Sequence, residues 1–149
     1  MSIADDVAVL TERLGRPPEG DFEVVVRNSA GDPVVIRNAP FLRDGTPMPT
    51  RYWLCDPALR QAVSRLESAG GVRAAEAAVD PAALAAAHAA YAAERDAAIA
   101  AIDPAWSGPR PSGGVGGTRQ GVKCLHAHYA FHLAGGADPV GRWVEEHLP

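Results

Sequence analysis

The sequence predicts an α+β fold: a small three-stranded antiparallel sheet, an N-terminal hairpin plus one strand, packed with a mostly helical C-terminal half. Three observations predict it. Two β-branched runs, F-E-V-V-V-R from Phe22 to Arg27 and P-V-V-I-R-N after it, flank the turn residues N-S-A-G-D and read as a hairpin. Asp56-Pro57, Asp80-Pro81 and Asp138-Pro139 each pair a capping aspartate with proline at the first helical position. Between the second of these and Asp103-Pro104 lies an alanine-rich run, the strongest helix-forming composition there is.

The elements follow in order. Ser2 can cap a helix reaching about Leu14, with Ile3, Val7, Leu10 and Leu14 recurring on one side. G-R-P-P-E-G, Gly15 to Gly20, breaks it, and the hairpin comes next. Pro40 to Thr50 holds three prolines and an Asp-Gly, so it is an ordered loop or extended segment. Arg51 to Leu54 (R-Y-W-L) pairs as a third strand. The Asp56-Pro57 helix runs through Val63 and Leu66 to Ser68 and ends at Gly70-Gly71; Val72 to Val79 is helical as well. The Asp80-Pro81 helix reaches Ile102 and stops at Asp103-Pro104. Trp106 to Gly121 is a Pro- and Gly-rich loop. Val122 to Leu133 is a histidine-bearing helix ended by Gly135-Gly136, and Asp138-Pro139 opens a last short helix. Residues 1–149 are expected to form a single domain.

The net charge of −4 and a single lysine, Lys123, argue against nucleic-acid binding, which needs clustered cations. Two cysteines, Cys55 and Cys124, are too few for a disulfide framework. The N-terminus carries early acids and lacks the apolar run of a signal peptide. No segment approaches the roughly 20 apolar residues that span a bilayer. The expectation is a cytoplasmic protein with reduced thiols and no membrane partner.

Polar residues fall on apolar faces. At about 100° per residue, Leu84, His88, Tyr91, Arg95 and Ile102 share one stripe of the helix 81–102. A buried His and Arg need partners. Two roles fit: a structural hydrogen-bond network with Arg95 reaching outward, or a polar pocket that binds an anion, with Tyr91 on its wall. On the helix 122–133, Cys124 and His128 are four residues apart, as are His128 and His132. Cys124 and His128 can therefore meet one soft or borderline metal such as zinc or iron, with Cys55 or His88 completing the site. The alternative is packed histidines and a Cys124 that serves as a small core residue. His126 points about 160° away from His128.

The segment from Ser112 to Gly121, S-G-G-V-G-G-T-R-Q-G, fits neither the dinucleotide fingerprint nor the phosphate-binding loop. With Thr118, Arg119 and Lys123 near a helix N-terminus it can still bind an anion; otherwise it is a flexible lid or linker. Cys124, beside Lys123 near that N-terminus, sits where a thiolate nucleophile is favoured, with His128 or His88 in reach as base. Asp44 either orients a base or caps its own turn.

The site these residues predict lies between the helix 81–102, the helix 122–133 and the 44–50 loop. There Lys123, Arg95 and Arg119 hold a small anionic molecule, Thr118, Asp44 and Tyr91 add ligand contacts, and Cys124, His126 and His88 supply catalytic groups. A non-enzymatic protein-interaction module using Trp106 and Trp143 is one alternative, and a Cys/His metal site is another.

Three motifs add a resemblance. P-F-L-R-D-G-T-P-M-P-T-R-Y-W-L from Pro40 to Leu54, H-A-A-Y-A-A-E-R from His88 to Arg95 and K-C-L-H from Lys123 to His126 resemble an uncharacterised bacterial family, mainly of actinobacteria, known as domain of unknown function 501. The resemblance spans nearly the whole chain. It implies a small cytoplasmic single-domain protein and brings no established activity. Members vary at the position of His128, which shifts weight towards Lys123, Cys124 and His126.

Overall fold

A computed structural model describes residues 3–149, so the expected Ser2 cap lies outside the described residues. The chain runs α1 (Ile3–Leu14), β1 (Phe22–Arg27), β2 (Pro33–Asn38), β3 (Tyr52–Leu54), α2 (Pro57–Ser68), α3 (Gly71–Ala78), α4 (Pro81–Ile102), a single 3-10 turn at Val115–Gly117, α5 (Leu125–Leu133) and α6 (Pro139–His147). This is the expected α+β architecture. The strands form one antiparallel sheet in the order β1-β2-β3, with Val24 opposite Ile36 and Val35 opposite Leu54.

Because β2 is central, its side chains are covered on both faces, and Val34, Val35 and Ile36 are all buried. Ile36 packs with Leu10 of α1 and with Cys55, bordered by Phe22, Val24 and Trp53. Val35, Tyr52 and Leu54 join the main core with α4, α5 and α6. Tyr91 of α4 and Tyr52 of β3 both meet Phe131 of α5, at ring separations of 5.2 and 5.6 Å. Helix α6 lies close on α5 because Gly141 carries no side chain: a Cβ there would stand 2.6 Å from the His128 carbonyl oxygen.

The aspartate–proline starts act as predicted. Asp56 accepts from the Leu59 N–H, Asp80 from that of Ala82, and Asp138 from those of Val140 and Gly141. One helix starts later than predicted. The segment 122–124 is outside α5, and Cys124 is its N-cap with extended backbone (φ −150°, ψ 128°). The reason is tertiary. Glu76 of α3 accepts the Val122 N–H at 2.6 Å, and Glu67 of α2 accepts the Leu125 N–H at 2.9 Å. These carboxylates hold the approach to α5 extended across α2 and α3. No helix among the described residues is long and apolar enough to cross a membrane.

Candidate functional site

The glycine-rich segment 113–117 stands between two clefts. The first has a volume of about 840 Å³. Its walls come from the α1–β1 connection (Arg16 to Asp21), the 38–50 segment, the first turns of α2, and the stretch from Lys123 to Ala127. The second, of about 510 Å³, lies against α4 and is lined by His88, Arg95, Arg110, Ser112 and Arg119.

Cys124 and His126 reach the first cleft because the chain leaves its extended run and enters α5 there. Glu67, in the last turn of α2, comes to meet them. One potential ligand atom from each of Glu67, Cys124 and His126 lies within 4.8 Å of the others. His126 Nδ1 is 3.1 Å from Glu67 Oε1 and 3.9 Å from Cys124 Sγ. The other ring nitrogen, Nε2, faces the Arg60 carbonyl oxygen at 3.1 Å and Ser64 Oγ at 3.2 Å. A carbonyl can only accept, so Nε2 carries a hydrogen and Nδ1 is the atom turned to the cluster. The hydrogen bond to Cys124 raises the imidazole to about 9. Burial opposes this, while the Glu67 charge and the Arg60 carbonyl reinforce it. Glu67 is divided in the same way, Oε2 accepting from the Leu125 N–H and Oε1 facing His126.

Most of the other predicted residues sit elsewhere. Lys123 does line the first cleft. His88 is buried and satisfied: Nδ1 accepts from the Val115 N–H at 3.0 Å and Nε2 donates to the Gly121 carbonyl at 2.8 Å. With both nitrogens holding the loop, it has no free atom for proton transfer to Cys124, and the structure does not bring the two together. Arg95, 3% exposed, donates to the Gly113 carbonyl at 2.7 Å and has a longer contact of 3.4 Å to Asp96; its Nε has no partner. Arg119 shares the second cleft with Arg95 rather than joining Lys123. Tyr91 is fully buried, and its hydroxyl accepts from the Arg51 N–H; burial pushes it up to about 12. Thr118 donates to the Gln120 carbonyl within its own turn, and Asp44 accepts from the Thr46 N–H within its own.

His128 is fully buried, with Nδ1 at 2.7 Å from Asp138. It does not meet Cys124, because the i, i+4 relation required Cys124 to be helical and it is an extended cap. Trp106 and Trp143 are each half-buried, and Ile102 is the sole large apolar residue with high exposure among the described residues. They form no exposed tryptophan patch.

Sequence reasoning missed Glu67, Arg60 and Ser64. Glu67 is 58 positions from the amide it accepts, and nothing in S-R-L-E-S marks it as more than a solvated helical acid. Its side chain is 27% exposed, and it meets the cleft-lining residues Cys124 and His126 without lining the cleft itself.

A family model described as "Protein of unknown function (DUF501)" matches residues 24–146. No curated protein and no solved structure matches the chain.

Proposed function

The chain belongs to the family Protein of unknown function (DUF501), and from its own geometry we propose that it takes a small molecule with one anionic end into the first cleft. The single observation that carries this reading is the pair Cys124 and His126, both in reach of Glu67, on the wall of a cleft of about 840 Å³ that also holds the only lysine. The volume lies in the range of drug-sized ligand pockets. Leu14, Pro17, Pro18, Leu42 and Trp53 offer an apolar wall for the body of the ligand. Lys123 attracts its charge, and the cluster faces its reacting group. Glu19 and Asp21 also line the cleft, so its charge is bipolar. One anionic end is therefore favoured over a molecule charged throughout.

A thermal-shift screen of small carboxylates and phosphate monoesters tests this. Compounds that stabilise the protein are expected to lose at least half their shift in Lys123→Ala. They should lose all of it in Gln61→Trp, which fills the cleft from an exposed position on α2. Shifts that survive both substitutions would move the ligand elsewhere.

A further inference from the structure

We propose that Glu67, Cys124 and His126 form a three-ligand site for one divalent transition-metal ion, zinc by preference, with its remaining coordination position open to the first cleft. The proposal rests on the cleft reading only for what occupies that open position. The donor set is mixed: one carboxylate oxygen, one imidazole nitrogen and one sulfur. That mixture suits zinc, whereas calcium and magnesium take oxygen ligands.

The spacing fits. Tetrahedral zinc with bonds of about 2.0–2.3 Å separates its ligand atoms by roughly 3.3–3.8 Å. Here Nδ1 and Oε1 are 3.1 Å apart, and Nδ1 and Sγ 3.9 Å. The third pair, Glu67 and Cys124, lies within 4.8 Å, so the cluster would close by up to about 1 Å to seat an ion.

The outer contacts fit as well. A metal-binding histidine ordinarily donates its second N–H to a carbonyl or carboxylate, which fixes the ring. His126 does so, Nε2 facing the Arg60 carbonyl at 3.1 Å. A ligating carboxylate is ordinarily held by its other oxygen. Glu67 is held in this way by the Leu125 N–H at 2.9 Å. Each of these two residues therefore has one polar atom fixed by backbone and the other turned to a common point. Cys124 is placed by the extended backbone that Glu67 and Glu76 maintain.

In the metal-free protein a proton on His126 Nδ1 is the positive group that faces Glu67 Oε1. A divalent ion would take the place of that proton, with one thiolate and one carboxylate balancing its two charges. Lys123 lines the same cleft, where an anionic ligand end would complete the coordination. Three protein ligands with a position open to a cleft is the pattern of catalytic rather than structural zinc.

Untagged protein is dialysed against a chelator and titrated with zinc chloride in competition with a chromophoric chelator, then with cobalt chloride while the absorption spectrum is recorded. The expected result is one equivalent bound and a thiolate-to-cobalt charge-transfer band. Cys124→Ser should lose the band, and Glu67→Gln and His126→Ala should weaken zinc at least tenfold. Cys55→Ser and His132→Ala should match wild type. Circular dichroism establishes that each variant is folded. The wild-type cobalt spectrum decides the matter even if a cluster variant fails to fold, since it needs no substitution. Zinc binding weaker than millimolar, a cobalt spectrum without the thiolate band, or unchanged affinity in Cys124→Ser and Glu67→Gln would overturn the site. Failure here would leave ligand shifts sensitive to Lys123→Ala and Gln61→Trp intact. Conversely, a cleft without ligands would leave metal binding intact.

Discussion

Cys55 and Cys124 share a functional group and differ in every other respect. Cys55 is fully buried between Leu10 and Ile36, and burial pushes its thiol up to about 11. Cys124 is half-buried and faces the first cleft beside His126. The thiolate is the reacting form, so a group that is both inaccessible and protonated is inert. Native protein treated with a chromogenic disulfide at neutral pH is therefore expected to release one equivalent quickly, and the second only after denaturant is added. Cys124→Ser should give no fast release. Two fast equivalents, or a fast one that survives Cys124→Ser, would mean that Cys55 is not enclosed as described. Loading with zinc should slow the fast equivalent, since coordination occupies the same sulfur.

Among the elements, the glycine loop shows how a polar residue on an apolar helix face is used. His88 and Arg95 of α4 both spend their main hydrogen bonds on backbone of the loop, at Val115, Gly121 and Gly113. Gly114 is where the loop comes closest to the helix. A Cβ there would lie 2.5 Å from His88 Nδ1, 2.6 Å from its Cβ and 2.8 Å from its Cα. The last two atoms cannot swing away, so Gly114→Ala must push the loop off α4. The cost expected is about 1–3 kcal/mol, the range for overpacking a closed site. Denaturant unfolding measures it, and hydrogen exchange should show the Val115 amide losing protection first. An unchanged Val115 protection factor would mean that the loop has room to yield. Legibility divides at this same level. The hairpin, the three Asp-Pro helix starts and the stripe carrying His88 and Arg95 could be read because each depends on residues within a few positions. The true start of α5 could not, because Glu67 and Glu76 fix it from 58 and 46 positions away. That displacement of three residues removed Cys124 from the His128 face and put it with His126 and Glu67. The sequence did single out Cys124, His126 and Lys123, but it supplied no reason to connect them with α2.

At the scale of the whole molecule, two ion pairs attach α1 to the hairpin. Arg13 meets Asp32 at 3.0 Å, and Arg27 meets Asp6 through two contacts of 3.0 and 2.8 Å. The second is the more enclosed, since the Asp6 side chain is 5% exposed. The paired hydrogen bonds from Arg27, helped by its charge, hold the Asp6 carboxyl below its ordinary value, with burial opposing. A carboxylate depressed in the folded state adds stability above its unfolded value, about 3.9, and loses that contribution as the pH falls through the folded value. Stability should therefore decline on the acid side as α1 loses its hold on the sheet. Removing the partner should flatten that decline. Arg27→Ala is expected to be less stable than wild type at pH 7, and the difference should shrink as the pH drops below about 4, where Asp6 begins to protonate in the unfolded chain. Urea midpoints of the two proteins between pH 7 and pH 2.5 make the comparison. A difference that stays constant across the range would assign the loss to the packing of the arginine stem instead of its charge. The first cleft supplies a second readout of the same event. Leu14 and Arg16, at and just beyond the end of α1, line it, so loosening α1 at low pH should weaken cleft ligands in parallel with the fall in stability.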